Sequence, residues 1–194
     1  MPPVPVLPPE LDSFCLGFLD LLEHWNRRHS LTAVPAGERR EELLLDSAVL
    51  LPWIRPLPPG ARIADFGTGM GIPALVLAAA RPDLHVLALD KASKKLAFVR
   101  QAALELGLGN LEALPGRIED LPPVKADLGT AKAVGPLALL LGWWDRHGAP
   151  QAPFLALKGP AWAEELPLQG RTCRPHAYRL PTRGERVLVE VVRS

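Results

Sequence analysis

An apolar run ending in Asp65, glycines at Gly67, Gly69 and Gly71, and a second apolar run ending in Asp90 constrain this chain more than any other feature. The order is strand, acid, glycine turn, helix, strand, acid, and it describes a nucleotide pocket. The first glycine permits a tight turn after the strand. The other two let the backbone approach a ligand and let the helix start pack close to the sheet. Asp90, 25 residues after Asp65, stands where an acid accepts hydrogen bonds from both hydroxyls of an unphosphorylated ribose. The spacing is G-x-G-x-G, not the G-x-G-x-x-G of dinucleotide binders, which favours S-adenosylmethionine over NAD as the cofactor.

From Ala61 onward, strand and helix patterns alternate. Strands are predicted at 61–66, 84–90, 111–115, 127–131 and 154–158, and helices at 73–80, 93–106 and 136–146. That alternation predicts a parallel sheet wrapped by helices. The end differs. Arg174–Leu180 and Arg186–Arg193 read as two strands joined by Pro181-Thr182-Arg183-Gly184-Glu185, an antiparallel hairpin closing a parallel sheet. The fold class predicted is α/β and Rossmann-like, with a mostly parallel seven-stranded sheet of the S-adenosylmethionine-dependent methyltransferase type. Before it, residues 1–9 form a proline-rich lead-in that cannot be helical. An amphipathic helix over Leu11–Arg28 carries Phe14, Phe18, Leu22 and Trp25 at near-helical spacing. A second helix over Glu38–Leu51 is expected to end in a stiff linker at Pro52–Pro59. Residues 1–58 are thus read as a lead-in and helical cap, and residues 59–194 as the main domain.

The bulk numbers exclude several classes. A chain of 194 residues, 48% hydrophobic and 22% charged, holds one sizeable core and a small appendage. A net charge of +1 gives no global field towards nucleic acid, though a local basic face remains open. Cys15 and Cys173 lie far apart with no metal-ligand spacing, which predicts a reduced setting and no metal. No basic-then-apolar leader opens the chain, and no apolar run reaches spanning length. The expectation is a soluble cytoplasmic monomer without a membrane partner.

Several segments resemble the glucose-inhibited division protein B family, bacterial methyltransferases acting on guanine N7 of 16S ribosomal RNA. Trp25-Asn26-Arg27 with Leu31-Thr32-Ala33 is similar to its W-N-x-x-x-N-L-T-A segment, and Asp46-Ser47 to its D-S-L helix. Asp65–Pro73 is similar to the D-x-G-S/T-G-x-G-F/L-P loop. Lys94-Lys95 and Phe98 fall where the family has K-R and F. Gly116-Arg117-Ile118-Glu119 resembles G-R-A-E, Ala131-Lys132-Ala133-Val134 resembles A-R-A-V, and Leu157-Lys158-Gly159 matches L-K-G. The departures are Ser30 for Asn, Leu43 for His, Ala74 and Val76 for Gly and Pro, and Lys132 for Arg. Lysine keeps the charge but loses the planar fork. The pattern is that of a divergent member.

What the resemblance implies is methyl transfer from S-adenosylmethionine to a guanine N7 of 16S ribosomal RNA of the small subunit; the net charge of +1, poorly suited to seizing naked RNA, points to a folded particle or late precursor as the substrate. Guanine N7 carries a lone pair and no proton, so the chemistry needs alignment and charge complementarity, not a base. The absence of N-P-P-Y, D-P-P-Y and Pro-Cys motifs agrees. The cofactor set is Asp65, Gly67, Thr68, Gly69, Gly71, Ile72, Asp90, Ile118, Glu119 and Lys132, with Asp65 and the glycines at the methionine and ribose edge and Ile118 and Glu119 flanking adenine. Asp90 as a mere helix cap stays open. Lys132 and Lys158, at strand C-termini, are the catalytic candidates, facing the methyl, the base or phosphate; exposed rim lysines are the alternative. Asn26, Arg27, Thr32, Arg183 and Arg186 are the substrate-binding candidates, Asn26 and Thr32 having capping and turn formation as the alternative. Clusters at Arg27-Arg28-His29, Arg39-Arg40 and along the hairpin either hold phosphates or are solvated charges. Of Trp143 and Trp144 one should be core and the other exposed or stacking; Trp25 and Trp53 should pack the cap on the main domain. A small-molecule or protein acceptor, or a catalytically weakened RNA-binding relative, are the competing readings.

Overall fold

In the computed structural model, which describes residues 2–193, the chain runs α1 (Asp12–His29), a π-helical turn (Arg40–Leu45), α2 (Asp46–Ala48), α3 (Leu51–Ile54), β1 (Arg62–Phe66), α4 (Ala74–Ala80), β2 (His85–Asp90), α5 (Ser93–Glu105), β3 (Leu111–Pro115), β4 (Leu128–Lys132), α6 (Leu137–His147), β5 (Phe154–Lys158), β6 (Arg171–Leu180) and β7 (Gly184–Arg193). Met1, at the head of the predicted lead-in, and Ser194 lie outside the described residues. The seven strands form one sheet in the order β3-β2-β1-β4-β5-β7-β6. β1 to β5 are mutually parallel; β7 enters antiparallel beside β5 and β6 antiparallel beside β7. This is the α/β sheet with a terminal hairpin that the pattern predicts.

The central strands β1, β4 and β5 are buried along almost their whole length, because helices cover both faces. One face packs α4, α5 and the N-terminal helices around Ile63, Val86, Phe98 and Leu155. The other packs α6 around Phe66, Trp144 and Phe154. Strand order reverses between β1 and β4, so their carboxyl ends open a crevice at the switch point.

The cap joins the first core. α1 buries Cys15, Phe18 and Leu22, one stripe at helical spacing, and Phe18 and Trp25 meet Phe98 of α5 edge-on at 6.2 and 5.6 Å. Trp53 packs edge-on against His176 of β6 at 4.9 Å. Both tryptophans therefore tie the cap to the sheet domain as expected. α1 stops where Ser30 turns left-handed, φ 47°, a conformation that asparagine tolerates better than serine. The lead-in follows the β6 edge, with the Arg179 amide donating to the Pro3 carbonyl at 2.9 Å, and so covers an open sheet edge.

Two expectations fail in detail. Pro9, read as the end of a lead-in that cannot be helical, opens a 3-10 turn over Pro9–Leu11. The continuous helix over 38–51 is broken into a 3-10 turn, the π-helical turn, α2 and α3. Pro52 does not end it: Pro52 lies in the first turn of α3, where a missing N–H costs nothing.

Candidate active site

The glycine turn is built as the strand-end argument requires. Gly67, Gly69 and Gly71 all have positive φ. A β-carbon on Gly71 would stand 2.5 Å from Leu75 and 3.1 Å from Val99, so this glycine leaves room for the first turn of α4 to pack beside α5. A β-carbon on Gly69 would meet only the Gly67 carbonyl oxygen, at 3.9 Å. Its N–H donates to Asp90 Oδ2 at 2.8 Å, and the Ala92 amide donates to Oδ1 at 2.8 Å. Asp90 thus braces the turn from β2 and reaches the start of α5. Each carboxylate oxygen still has a free lone pair for a hydroxyl.

Asp65 and Thr68 are buried. The Thr130 hydroxyl of β4 donates to Asp65 Oδ1 at 2.9 Å, while Oδ2 makes no hydrogen bond among the described residues. Burial pushes the Asp65 carboxyl up to about 7, and the nearby Asp90 charge adds to it; the Thr68 and Thr130 hydroxyls and the Ala74 amide oppose the rise. Asp65 therefore supports the turn from inside instead of lining the crevice.

Two cavities open at the carboxyl ends of the strands. The first, about 570 Å³, is bordered by Gly67, Asp90, Gly116, Ile118, Glu119, Ala133, Val134 and Trp143. That size suits a nucleoside-sized ligand. It brings together Gly67, Asp90, Ile118 and Glu119 from the predicted set; Thr68, Gly69, Gly71 and Ile72 form the turn behind it. Pattern reasoning left Trp143 unassigned: Trp144 is core and Trp143 half-buried on the cavity wall, as the doublet on an amphipathic helix implies.

The second cavity, about 310 Å³, shares Ala133 and Val134 with the first. Ala133 holds φ 55°, a left-handed conformation unusual for alanine, at this shared rim. Lys132, Lys158, Asp46, Tyr178 and Arg186 surround it. Lys132 pairs with Asp46 Oδ2 at 2.6 Å and donates to the Glu42 carbonyl; the Tyr178 hydroxyl donates to Asp46 Oδ1 at 2.5 Å. Burial and the Asp46 carboxylate raise the Tyr178 pKa, so the phenol stays protonated. Lys158 donates to Glu165 at 2.7 and 3.0 Å and to the Gly135 carbonyl at 2.8 Å. Its ammonium holds the Glu165 carboxyl below the ordinary range, against the cost of burial. Neither lysine is the free rim charge of the alternative reading.

The remaining substrate-binding candidates scatter. Arg186 lines the second cavity. Arg183 pairs with Glu38 and Glu42 and binds the hairpin tip to the cap. Asn26 and Thr32 hydrogen-bond to each other, at 2.8 and 3.1 Å, and close the turn after α1. Arg27 is exposed and paired with Glu23. Most of the basic clusters are likewise neutralised: Arg39 by Glu23, Arg40 by Asp12, Arg171 by Asp145 and Arg174 by Glu190. No helix among the described residues is long and apolar enough to cross a membrane.

Known proteins resemble this chain in fold and in sequence. An Aquifex aeolicus protein solved as a SAM-dependent methyltransferase superposes with a TM-score of 0.59 at 19% identity, covering 81% of this chain and 93% of that one. It shares the fold. Ribosomal RNA small subunit methyltransferase G of Methylobacillus flagellatus is 39% identical over 162 residues, 82% of this chain and 77% of its own. The protein of the same name from Halorhodospira halophila is 44% identical over 162 residues, 81% of this chain and 76% of its own. The family model for GidB, rRNA small subunit methyltransferase G, matches residues 13–182. With motif order, sheet topology and relatives in agreement over most of its length, the chain belongs to the GidB family of small-subunit rRNA methyltransferases.

Proposed function

We propose that this chain transfers a methyl group from S-adenosylmethionine to N7 of a guanine in 16S ribosomal RNA, acting as a monomer in the cytoplasm on the small subunit or a late precursor of it. The observation that carries this reading is the pair of cavities meeting at Ala133 and Val134. One is bordered by the glycine turn and Asp90, the other by two lysines and Arg186.

S-adenosylmethionine supplies an electrophilic sulfonium methyl when bound. The positive-φ turn at Gly67–Gly71 admits a ligand close to the backbone, and the spare lone pairs of Asp90 take the ribose hydroxyls. Ile118 and Glu119 flank the adenine, one by apolar contact and one by polar contact. Lys132 and Lys158 hold the acceptor guanine from the far side, oriented by Asp46 and Glu165. The acceptor needs no deprotonation, because guanine N7 carries a lone pair and no proton; the glycine turn, Asp90, Ile118 and Glu119 would hold the cofactor that supplies the methyl and leaves as S-adenosylhomocysteine. The protein's contribution is alignment and a fixed polar surround. Asn26 and Thr32 shape the turn that carries the cap. Arg186 is the substrate-binding candidate best placed to meet RNA at this cavity.

The test is a transfer assay with labelled S-adenosylmethionine and small subunits that lack this methylation, followed by mass spectrometry of digested RNA. A single 7-methylguanosine is expected. Failure to transfer by a preparation that binds S-adenosylhomocysteine would turn the search to another acceptor.

A further inference from the structure

His147 closes α6 with no exposed surface. Its Nε2 lies 2.8 Å from the carbonyl oxygen of Ile118. A carbonyl only accepts, so Nε2 must carry the ring proton and Nδ1 is left a bare acceptor. Nδ1 has no partner among the described residues. The ring stands edge-on to Phe66, 5.6 Å between centroids, at the end of the strand that leads into the glycine turn. Burial lowers the His147 pKa, which keeps the imidazole neutral with that single donor.

Neighbouring contacts converge on the same connection. Arg146 Nε donates to the Leu121 carbonyl at 3.2 Å, and the Ala126 amide donates to the His147 carbonyl at 2.9 Å. The end of α6 therefore grips the segment between β3 and β4 at three points. That segment carries Ile118 and Glu119. One turn earlier on the same helix face, Trp143 lines the same cavity, and it too meets Phe66 edge-on, at 6.2 Å. A burial argument alone would leave His147 replaceable by any apolar residue of its size. The directed bond to a wall residue of the cavity says otherwise.

We infer that His147 is a positioning residue for cofactor binding: by donating Nε2–H to the Ile118 carbonyl, it holds the wall against which the cofactor's adenine lies. The inference rests on the assignment of Ile118 to the adenine side of the cavity.

The test measures S-adenosylhomocysteine affinity by calorimetry for the parent, His147→Leu, His147→Gln and Asp90→Ala, with steady-state kinetics on small subunits. Leucine fills the space without the donor; glutamine returns an N–H at the Nε2 position. His147→Leu should weaken binding about 3–10-fold, the scale of one directed hydrogen bond. The KM for S-adenosylmethionine should rise in step, with kcat at saturation unchanged. His147→Gln should recover most of the loss. Equal affinity for parent and leucine variant overturns the inference, as does a glutamine variant no better than leucine. Should leucine unfold the protein, nitrogen NMR of the parent decides: the Nε2–H tautomer supports the inference and the Nδ1–H tautomer overturns it. Asp90→Ala separates the two levels. If it binds S-adenosylhomocysteine as the parent does, the cavity assignment itself fails, whatever His147 does.

Discussion

Asp65 is the residue whose environment departs most from what its motif suggests. It stands one residue before the end of β1, ahead of the glycine turn, yet it is buried, and its carboxyl is pushed up to about 7 by burial and by Asp90. The folded state therefore binds this proton more tightly than the unfolded chain, where the carboxyl titrates near 3.8. Its contribution to stability is full below about pH 4 and is lost as pH rises through about 7. Asp65→Asn keeps the shape and removes the titration. Urea unfolding at pH 5 and pH 8 should show the parent losing stability relative to the variant, by on the order of 2–3 kcal/mol across that interval. A constant difference between the two proteins would contradict the raised pKa.

At the scale of elements, the cap is latched to the sheet through one buried cluster. Asp46 of α2 takes the Tyr178 hydroxyl from β6 and the Lys132 ammonium from β4, three elements far apart in the chain. Tyr178→Phe would leave Asp46 Oδ1 buried without its donor, which costs about 1–3 kcal/mol. Denaturant midpoints should fall accordingly. Affinity for S-adenosylhomocysteine should stay within about twofold of the parent, because this cluster borders the second cavity and not the first; a comparable loss there would mean that the two cavities are coupled through the cap. This cluster also marks where sequence reading stops. The strands were legible because their apolar runs and bounding glycines and prolines are local signals. Asp90 and the glycine turn were legible because one strand–turn–helix unit carries them. Lys132 and Lys158 could be placed at strand ends, but their partners Asp46 and Glu165 come from other elements. No local pattern announces a contact between residues 46 and 178. The break in the 38–51 helix escaped for a related reason: its apolar spacing fits an α-helix, and tertiary contacts such as Lys132 on the Glu42 carbonyl accompany the π-helical turn.

For the molecule as a whole, the charge balance sets how it meets RNA. There are 22 lysines and arginines against 21 acids, and the fold pairs many of them off. Arg183, Arg171, Arg174 and Arg193, which could have made the hairpin a basic edge, each face a carboxylate. The other half of the cations, Arg28, Arg55, Arg62, Lys91, Lys94, Lys95, Arg100, Lys125, Arg146, Arg179 and Arg186, form no ion pair among the described residues; Lys91, Lys94 and Lys95 gather at the start of α5, and the rest are spread from α1 to the hairpin. A molecule of this kind displaces few counterions from a nucleic-acid backbone. Each phosphate neutralised contributes about −0.7 to the slope of log K against log salt on single strands and about −0.9 on duplexes. Titration of unfolded 16S RNA fragments in rising potassium chloride should therefore give weak binding and a slope shallower than about −3. Assembled small subunits should bind more tightly at the same salt, because shape around the two cavities, and not phosphate count, then supplies the difference. A slope near −6 on bare RNA would require a basic track that this arrangement of ion pairs does not provide. Recognition would then have to begin with opening the Arg183–Glu38 and Arg171–Asp145 pairs, and charge reversal at Glu38 and Asp145 would steepen the slope further.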